Sequence, residues 1–370
     1  PHYIKDVTAV PDLAQFPPGH YLVHDWFSGE STLHRFVPEV LPKALGVSPE
    51  LHAARKFYEA CALRCGQHSR DDGVYVMVSG GIDSSVVLAA AVHFLGAGRV
   101  FALTGYYAPD GETSDVRYAR RLCKELGVRH QIIRFTRCDR RCLERVITAI
   151  GSWDTTTVRA SVAQYKILEH MGALQSRVVL GGEGADEVAQ GYQNFKLAPS
   201  PQAADAESRR LVENIHFYDG LRADRTTGGF GLELRLPFLD VPFVEAFWAI
   251  PAAARHSTSI EKPALRALMA GPVADLIPEL RGPVAREIIA RPKEALSDSV
   301  GRGHVRSLQA MAELQVSSRA LDAAECFWPH SPPRTKEEVL YRSVFDHCFP
   351  GMSHAQIPEK WMFRFVGEDV

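Results

Sequence analysis

The chain has 370 residues, 46% hydrophobic and 23% charged, with a formal net charge of −2. That length can bury one large core or two smaller ones, and the near-neutral charge without a long basic stripe argues against a nucleic-acid partner. The longest apolar run, Val86 to Leu95, is interrupted by His93 and is too short to span a bilayer, and Pro1 to Asp6 lack the apolar region of a secretion signal.

The first fifty residues carry turn signals at Pro17-Pro18-Gly19 and Ser28-Gly29 and read as short strands and loops rather than a complete domain. Leu51, Ala54, Phe57, Tyr58, Cys61 and Cys65 recur at helical spacing, which predicts a helix over 51–68. Val74-Tyr75-Val76-Met77-Val78 predicts a strand that ends in a glycine pair, and 84–94 an apolar helix. A strand over 100–104, a helix over 115–126 closed by Gly127, and a strand over 129–135 follow. Next come a helix from Thr156 to His170, with threonine as its cap and Gly172 as its stop, and a strand over 177–180 that runs into Gly181-Gly182-Glu183-Gly184. Apolar strands alternating with helices predict an α/β fold with a doubly wound parallel sheet covered on both faces. After Leu211 the pattern turns mostly helical and loses strand signals almost entirely, and Pro329, Pro332 and Pro333 keep the helices short. There are seven cysteines, and the pairs Cys61/Cys65 and Cys138/Cys142, at i, i+4 rather than CxxC spacing, read as buried or half-buried free thiols of a reducing cytosol.

The loop Ser79-Gly80-Gly81-Ile82-Asp83-Ser84-Ser85 lies where a doubly wound sheet places ligands, between the end of a strand and the start of a helix. Its glycines admit an anion close to the backbone, and the helix N–H groups and dipole attract it. Asp83 would repel a phosphate unless a divalent cation stands between them. The bland alternative is a strand–turn–helix joint with Asp83 or Ser84 as the N-cap. The loop is neither a P-loop nor GxGxxG. In the second turn, Asp186 is placed to share a cation with Asp83, and Glu183 to accept a proton. Thr156-Thr157-Val158-Arg159 adds a guanidinium suited to a carboxylate, a role about evenly matched with plain helix capping. Lys293, within Arg291-Pro292-Lys293-Glu294-Ala295, would by itself be a surface charge.

Together these motifs resemble the synthetase domain of glutamine-dependent asparagine synthetases. The resemblance runs from Phe16 to about Lys360 and includes 79–85, 156–161, 182–187, 221–227, 231–240 and 291–295. It implies an ATP pyrophosphatase fold, related to the adenine nucleotide alpha hydrolases, with a mostly helical C-terminal part. It also implies a two-step reaction, in which aspartate attacks ATP to give β-aspartyl-AMP and ammonia then displaces AMP. Carried over by position, Ser79, Gly80, Gly81, Asp83, Ser84 and Ser85 match the pyrophosphate loop, and Met77, Leu103, Gly181 and Gly182 line the adenosine. Asp83 and Asp186 face Mg²⁺. Glu183 serves formation of the intermediate and deprotonation of ammonium. Lys293 stabilises charge on the phosphate, and Thr156, Thr157 and Arg159 lie near the aspartate. The implied setting is cytoplasmic, with small-molecule substrates and with a homo-oligomer compatible.

Two departures accompany the resemblance. The family's glutaminase half, which begins with a nucleophilic cysteine, has counterparts only around Tyr3 to His20. The expected organisation is therefore a glutaminase-like tail and linker over 1–50 and a ligase domain over 51–370, with ammonia taken up free or from a glutaminase domain or subunit. Gly151-Ser152-Trp153 stands where Glu-Thr-Tyr is usual, and Gly181 where serine is usual. The first of these leaves open a relative that adenylates another carboxylic acid, of natural-product or β-lactam type.

Overall fold

Seven strands form two sheets in the computed structural model, which describes residues 16–17, 19–35, 46–66, 73–171, 176–292, 302–329 and 331–351. Strands β1 (His20–His24) and β2 (Ser31–Arg35) make an antiparallel hairpin. The other five, β3 (Val74–Met77), β4 (Val100–Tyr107), β5 (Arg129–Phe135), β6 (Val178–Leu180) and β7 (Glu233–Arg235), form one sheet in the order β5-β4-β3-β6-β7. Every pairing in this sheet is parallel. Parallel neighbours need crossovers, and the helices supply them: α2 (Ile82–Leu95) between β3 and β4, α3 (Ser114–Glu125) between β4 and β5, and α4 (Arg140–Ile150) and α5 (Thr155–Glu169) between β5 and β6. The chain winds outward from β3 in one direction and continues on its other side with β6. The junction of β3 and β6 is therefore the topological switch point.

Alternation along the strands divides the side chains between two cores. Val74, Val76 and Val78 pack with α1 (Pro49–Gly66) and α2 on one face, while Tyr75 joins Leu103, Ala163 and Ile167 on the other, under α5. The first core is extended by α6 (Ala185–Ala189), α9 (Val241–Trp248), α11 (Pro263–Ala270), α12 (Pro272–Leu276) and α13 (Pro283–Ala290), with α7 (Pro201–Glu213), α8 (Asp219–Gly228) and α10 (Ala252–Arg255) between them in sequence. A separate core joins α4 and α5 to the C-terminal helices α14 (Arg302–Gln315) and α17 (Lys336–Cys348); the short α15 (Ser318–Asp322) and α16 (Ala324–Phe327) lie between these in the chain.

Three sequence expectations need correction. A strand does follow Leu211: β7 is three residues long with a single apolar side chain, Leu234, too little for a hydrophobic period to register. The cap of α5 is Asp154, whose carboxylate accepts from the Thr157 N–H at 2.8 Å, so no threonine fills that role. Helix α2 is capped by Gly81 without a side-chain bond, which sets aside Asp83 and Ser84 as caps. Cys61, Cys65, Cys138 and Cys142 are buried free thiols.

Helix α1 is bound to the first core by Phe57, which is fully buried with ring centroids 4.9 Å from Phe238 and 5.1 Å from Phe243. Removing that ring leaves a cavity between α1 and the segment entering α9. Phe57→Ala is expected to lower unfolding free energy by about 3–5 kcal/mol in urea titration; a loss below about 1 kcal/mol would show that this contact does not hold the two segments together.

Candidate active site

Strands β3 and β6 end side by side, and the two glycine loops leave from those ends. In the first loop the hydroxyls bond inward. The Ser79 N–H donates to Ser84 Oγ at 3.0 Å, the two serine hydroxyls lie 3.1 Å apart, and the Gly81 N–H donates to Ser79 Oγ at 3.3 Å. Gly80 takes φ +80°, and a Cβ there would stand 2.3 Å from the Asp115 carbonyl oxygen. No other residue type turns so tightly against the start of α3. Arg291 ties the same corner, donating to the Gly80 carbonyl at 3.1 Å and to buried Asp115 at 2.6 Å, with its guanidinium 4.4 Å from the Tyr118 ring centroid.

The second loop lies directly against the first. A Cβ on Gly182 would come within 2.9 Å of Asp83 Cβ and of the Ser84 nitrogen. One on Gly181 would be 2.2 Å from Glu183 Oε2, so the bare backbone at this position makes room for the glutamate's own carboxylate.

Between the loops and α5 opens a cavity of about 400 Å³, within the range of small-molecule sites. Of the residues singled out in the sequence, Met77, Ser79, Asp83, Ser84, Leu103, Thr156, Arg159, Gly182, Glu183 and Asp186 line it. Gly80, Gly81, Ser85, Gly181 and Thr157 are not among its lining residues. Ser85 is buried and its Oγ has no hydrogen-bond partner, while Thr157 is held through its N–H by Asp154. Lys293 lies outside the described residues.

Asp83 and Asp186 converge on one point, and that point is occupied by Lys262, which the sequence reading missed. Its Nζ is 2.7 and 2.6 Å from the two Asp83 oxygens and 2.5 Å from Asp186 Oδ1. Burial works against its charge, but Asp186 and Asp83 outweigh that and hold its pKa above the ordinary lysine value. The only local signal was its place before Pro263 at the start of a helix, which says nothing of contacts 179 residues away.

A polar chain runs from Glu183 deeper into the cavity wall. Arg222 is buried, 3.7 Å from Glu183 Oε1, and donates to Asp219 at 2.9 Å and to Gln164 at 2.7 Å. The Tyr192 hydroxyl lies 2.6 Å from Glu187 and 3.1 Å from Asp219. Burial, together with the charges of Asp219 and Asp186, pushes the Glu187 carboxyl up to about 8. Arg222 belongs to the motif 221–227, but its pairing with Glu183 depends on how α8 packs on α5. Arg159 forms a two-pronged pair with Glu337 of α17, Nε to Oε1 at 2.8 Å and Nη2 to Oε2 at 2.6 Å. The carboxylate it grips in this structure is the chain's own, and Nη1 takes no part in the pair. Among the described residues no group of three or more His, Cys, Asp and Glu is arranged to hold a metal.

The asparagine synthase family model matches residues 53–213 and 196–363. Asparagine synthetase (glutamine-hydrolysing) of Gallus gallus is 35% identical over 381 residues, covering 96% of this chain and 66% of that protein. The Bos taurus protein of the same name is 37% identical over 303 residues, 80% of this chain and 52% of the relative. The chain thus spans between half and two thirds of the length of these relatives. Among solved structures, an NMN synthetase from Francisella tularensis aligns with 14% identity and a TM-score of 0.36, covering 86% of this chain and 100% of that one.

The raised Glu187 value sets a pH dependence. Between its ordinary value of 4.5 and about 8 the folded protein holds a proton that the unfolded chain has released. Stability therefore falls as pH rises through that window. Glu187→Gln should flatten the decline and exceed the parent by roughly 1–3 kcal/mol at pH 8, read by urea unfolding without divalent cation from pH 5 to 8. A parent whose stability rises over this range would contradict the assignment.

Proposed function

The chain belongs to the asparagine synthase family, and on that premise we propose that it forms the side-chain amide of aspartate with ATP. The β-carboxylate oxygen attacks the α-phosphorus, pyrophosphate leaves, and ammonia displaces AMP from β-aspartyl-AMP to give asparagine. The observation that carries this reading is the convergence of Asp83 and Asp186, from two different strand ends, beside a serine–glycine loop at the sheet's switch point.

The two carboxylates fit a divalent cation: both are hard oxygen donors, and they already share one positive charge at 2.5–2.7 Å. Mg²⁺ takes one or two carboxylates and completes its shell with phosphate oxygens and water, so two protein ligands suffice. When bound, it offsets negative charge on the phosphates. The N–H groups at the start of α2 and the hydroxyls of Ser79 and Ser84 bind the pyrophosphate oxygens, and Met77 and Leu103 offer apolar surface to the adenosine. Thr156 and the remaining Arg159 nitrogen, Nη1, hold the amino acid. Glu183, kept in the cavity by Arg222, takes the proton that ammonium must lose before it attacks. Lys293 donates to the α-phosphate as charge accumulates there.

We read residues 51–370 as the ligase and 1–50 as the tail of a glutaminase-like part. Ammonia then comes from solution or from a glutaminase domain or subunit. The hairpin β1–β2 supports such a neighbour, since Trp26 and Phe27 stand almost wholly exposed on it. No helix among the described residues is long and apolar enough to cross a membrane, and ATP and aspartate fit a cytosolic setting. A second reading, adenylation of a different carboxylic acid, draws support from Gly151. There the chain has Gly151-Ser152-Trp153 in place of the usual Glu-Thr-Tyr, and Gly151 ends α4 in the left-handed conformation with φ +62°.

Purified chain with ATP, Mg²⁺, aspartate and ammonium should release AMP and pyrophosphate in equal amounts, followed by chromatography. Glu183→Ala and Lys293→Ala should each lower kcat by about 10²–10³. Absence of aspartate-dependent AMP would refute the proposal, and AMP formed only with another acid in a carboxylate screen would favour the second reading.

A further inference from the structure

Lys262 is 1% exposed, and its ammonium contacts both carboxylates assigned above to the metal. Several features hold it there. Its backbone takes φ +57°, a left-handed conformation that side-chain-bearing residues seldom adopt. The next helix locks that turn, with the Arg266 N–H donating to the Lys262 carbonyl at 2.9 Å and Arg266 Nε to the Glu261 carbonyl at 2.8 Å. A Cβ on Gly191 would stand 2.1 Å from Lys262 Cε and 2.0 Å from Asp186 Oδ1, so the lysine stem passes through space that only glycine leaves.

We infer that Lys262 is the resident cation of the nucleotide-free site: it holds Asp83 and Asp186 together and competes with the divalent cation for their oxygens. The inference rests on the reading that these two carboxylates face Mg²⁺. Two ionised carboxylates this close repel each other unless a positive charge lies between them. A divalent cation arriving alone must displace a bonded ammonium and gains only two protein ligands in return. A cation arriving with a polyphosphate brings further oxygen ligands with it. The metal therefore enters with the nucleotide, and the empty site does not fill with free Mg²⁺. Lys262 acts here as a positioning residue. A salt bridge of purely structural importance would predict the opposite response, since its loss would loosen the site and weaken metal binding.

The test is Mn²⁺ binding to the full chain without nucleotide, read by electron paramagnetic resonance. Lys262→Met should bind Mn²⁺ roughly tenfold or more tightly than the parent. Lys262→Arg should keep the parent's weak binding, and adding Asp83→Asn to Lys262→Met should remove the gain. A folded Lys262→Met that binds Mn²⁺ no more tightly overturns the inference, while the metal reading survives if Asp83→Asn still weakens binding. If Asp83→Asn leaves binding unchanged in both backgrounds, the metal reading falls and the inference with it. Where Lys262→Met proves too unstable to titrate, excess Mn²⁺ should raise its Tm more steeply than the parent's; no rise overturns the inference.

Discussion

Two acidic loops from neighbouring parallel strands must touch, and the structure is organised around meeting that constraint. Asp83 and Asp186 share one ammonium, each with an oxygen 2.5–2.7 Å from it, and two carboxylates gathered on one point are tolerable only with a cation between them. The approach needs bare backbone, since at Gly182 a Cβ would fall within 2.9 Å of Asp83 and at Gly191 within 2.1 Å of Lys262. It also needs a sheet whose winding reverses where the loops emerge, which the order β5-β4-β3-β6-β7 supplies.

The helical C-terminal part completes the site rather than merely covering it. Lys262, at the start of α11, provides the cation. Arg291, at the end of α13, fastens the first loop to α3 through Gly80 and Asp115. Glu337 on α17 takes two donors of Arg159 and so fixes how that side chain meets the cavity. Glu183 belongs to the same logic: Arg222 balances its charge from one side, and Gly181 leaves room for its carboxylate on the other.

How much of this was legible depended on distance along the chain. The strand–loop–helix unit around 74–95 and the strand and glycine turn around 177–184 declare themselves locally, by apolar runs that end in glycine pairs, and the structure places those elements within a residue or two of expectation; the short helix Ala185–Ala189 was not foreseen. Strand β7 escaped because a three-residue strand with one apolar side chain has no period. The cap of α5 was misassigned because Asp154 and the threonines after it are all good cap formers, and only the Thr157 N–H to Asp154 bond decides between them. Lys262 was illegible because its partner Asp83 is 179 residues away in sequence and Asp186 lies on another element far upstream. The same holds for Arg159, whose fork is taken by a carboxylate 178 residues downstream.

The central claim is that a carboxylate oxygen of aspartate attacks the α-phosphorus of ATP in the cavity between the two loops. The most direct measurement is transfer of ¹⁸O from aspartate labelled in its β-carboxylate, with the nucleotide products read by mass spectrometry. The account predicts one ¹⁸O in each AMP formed in the presence of ammonium. Unlabelled AMP, or label appearing in inorganic phosphate alongside ADP, would contradict it.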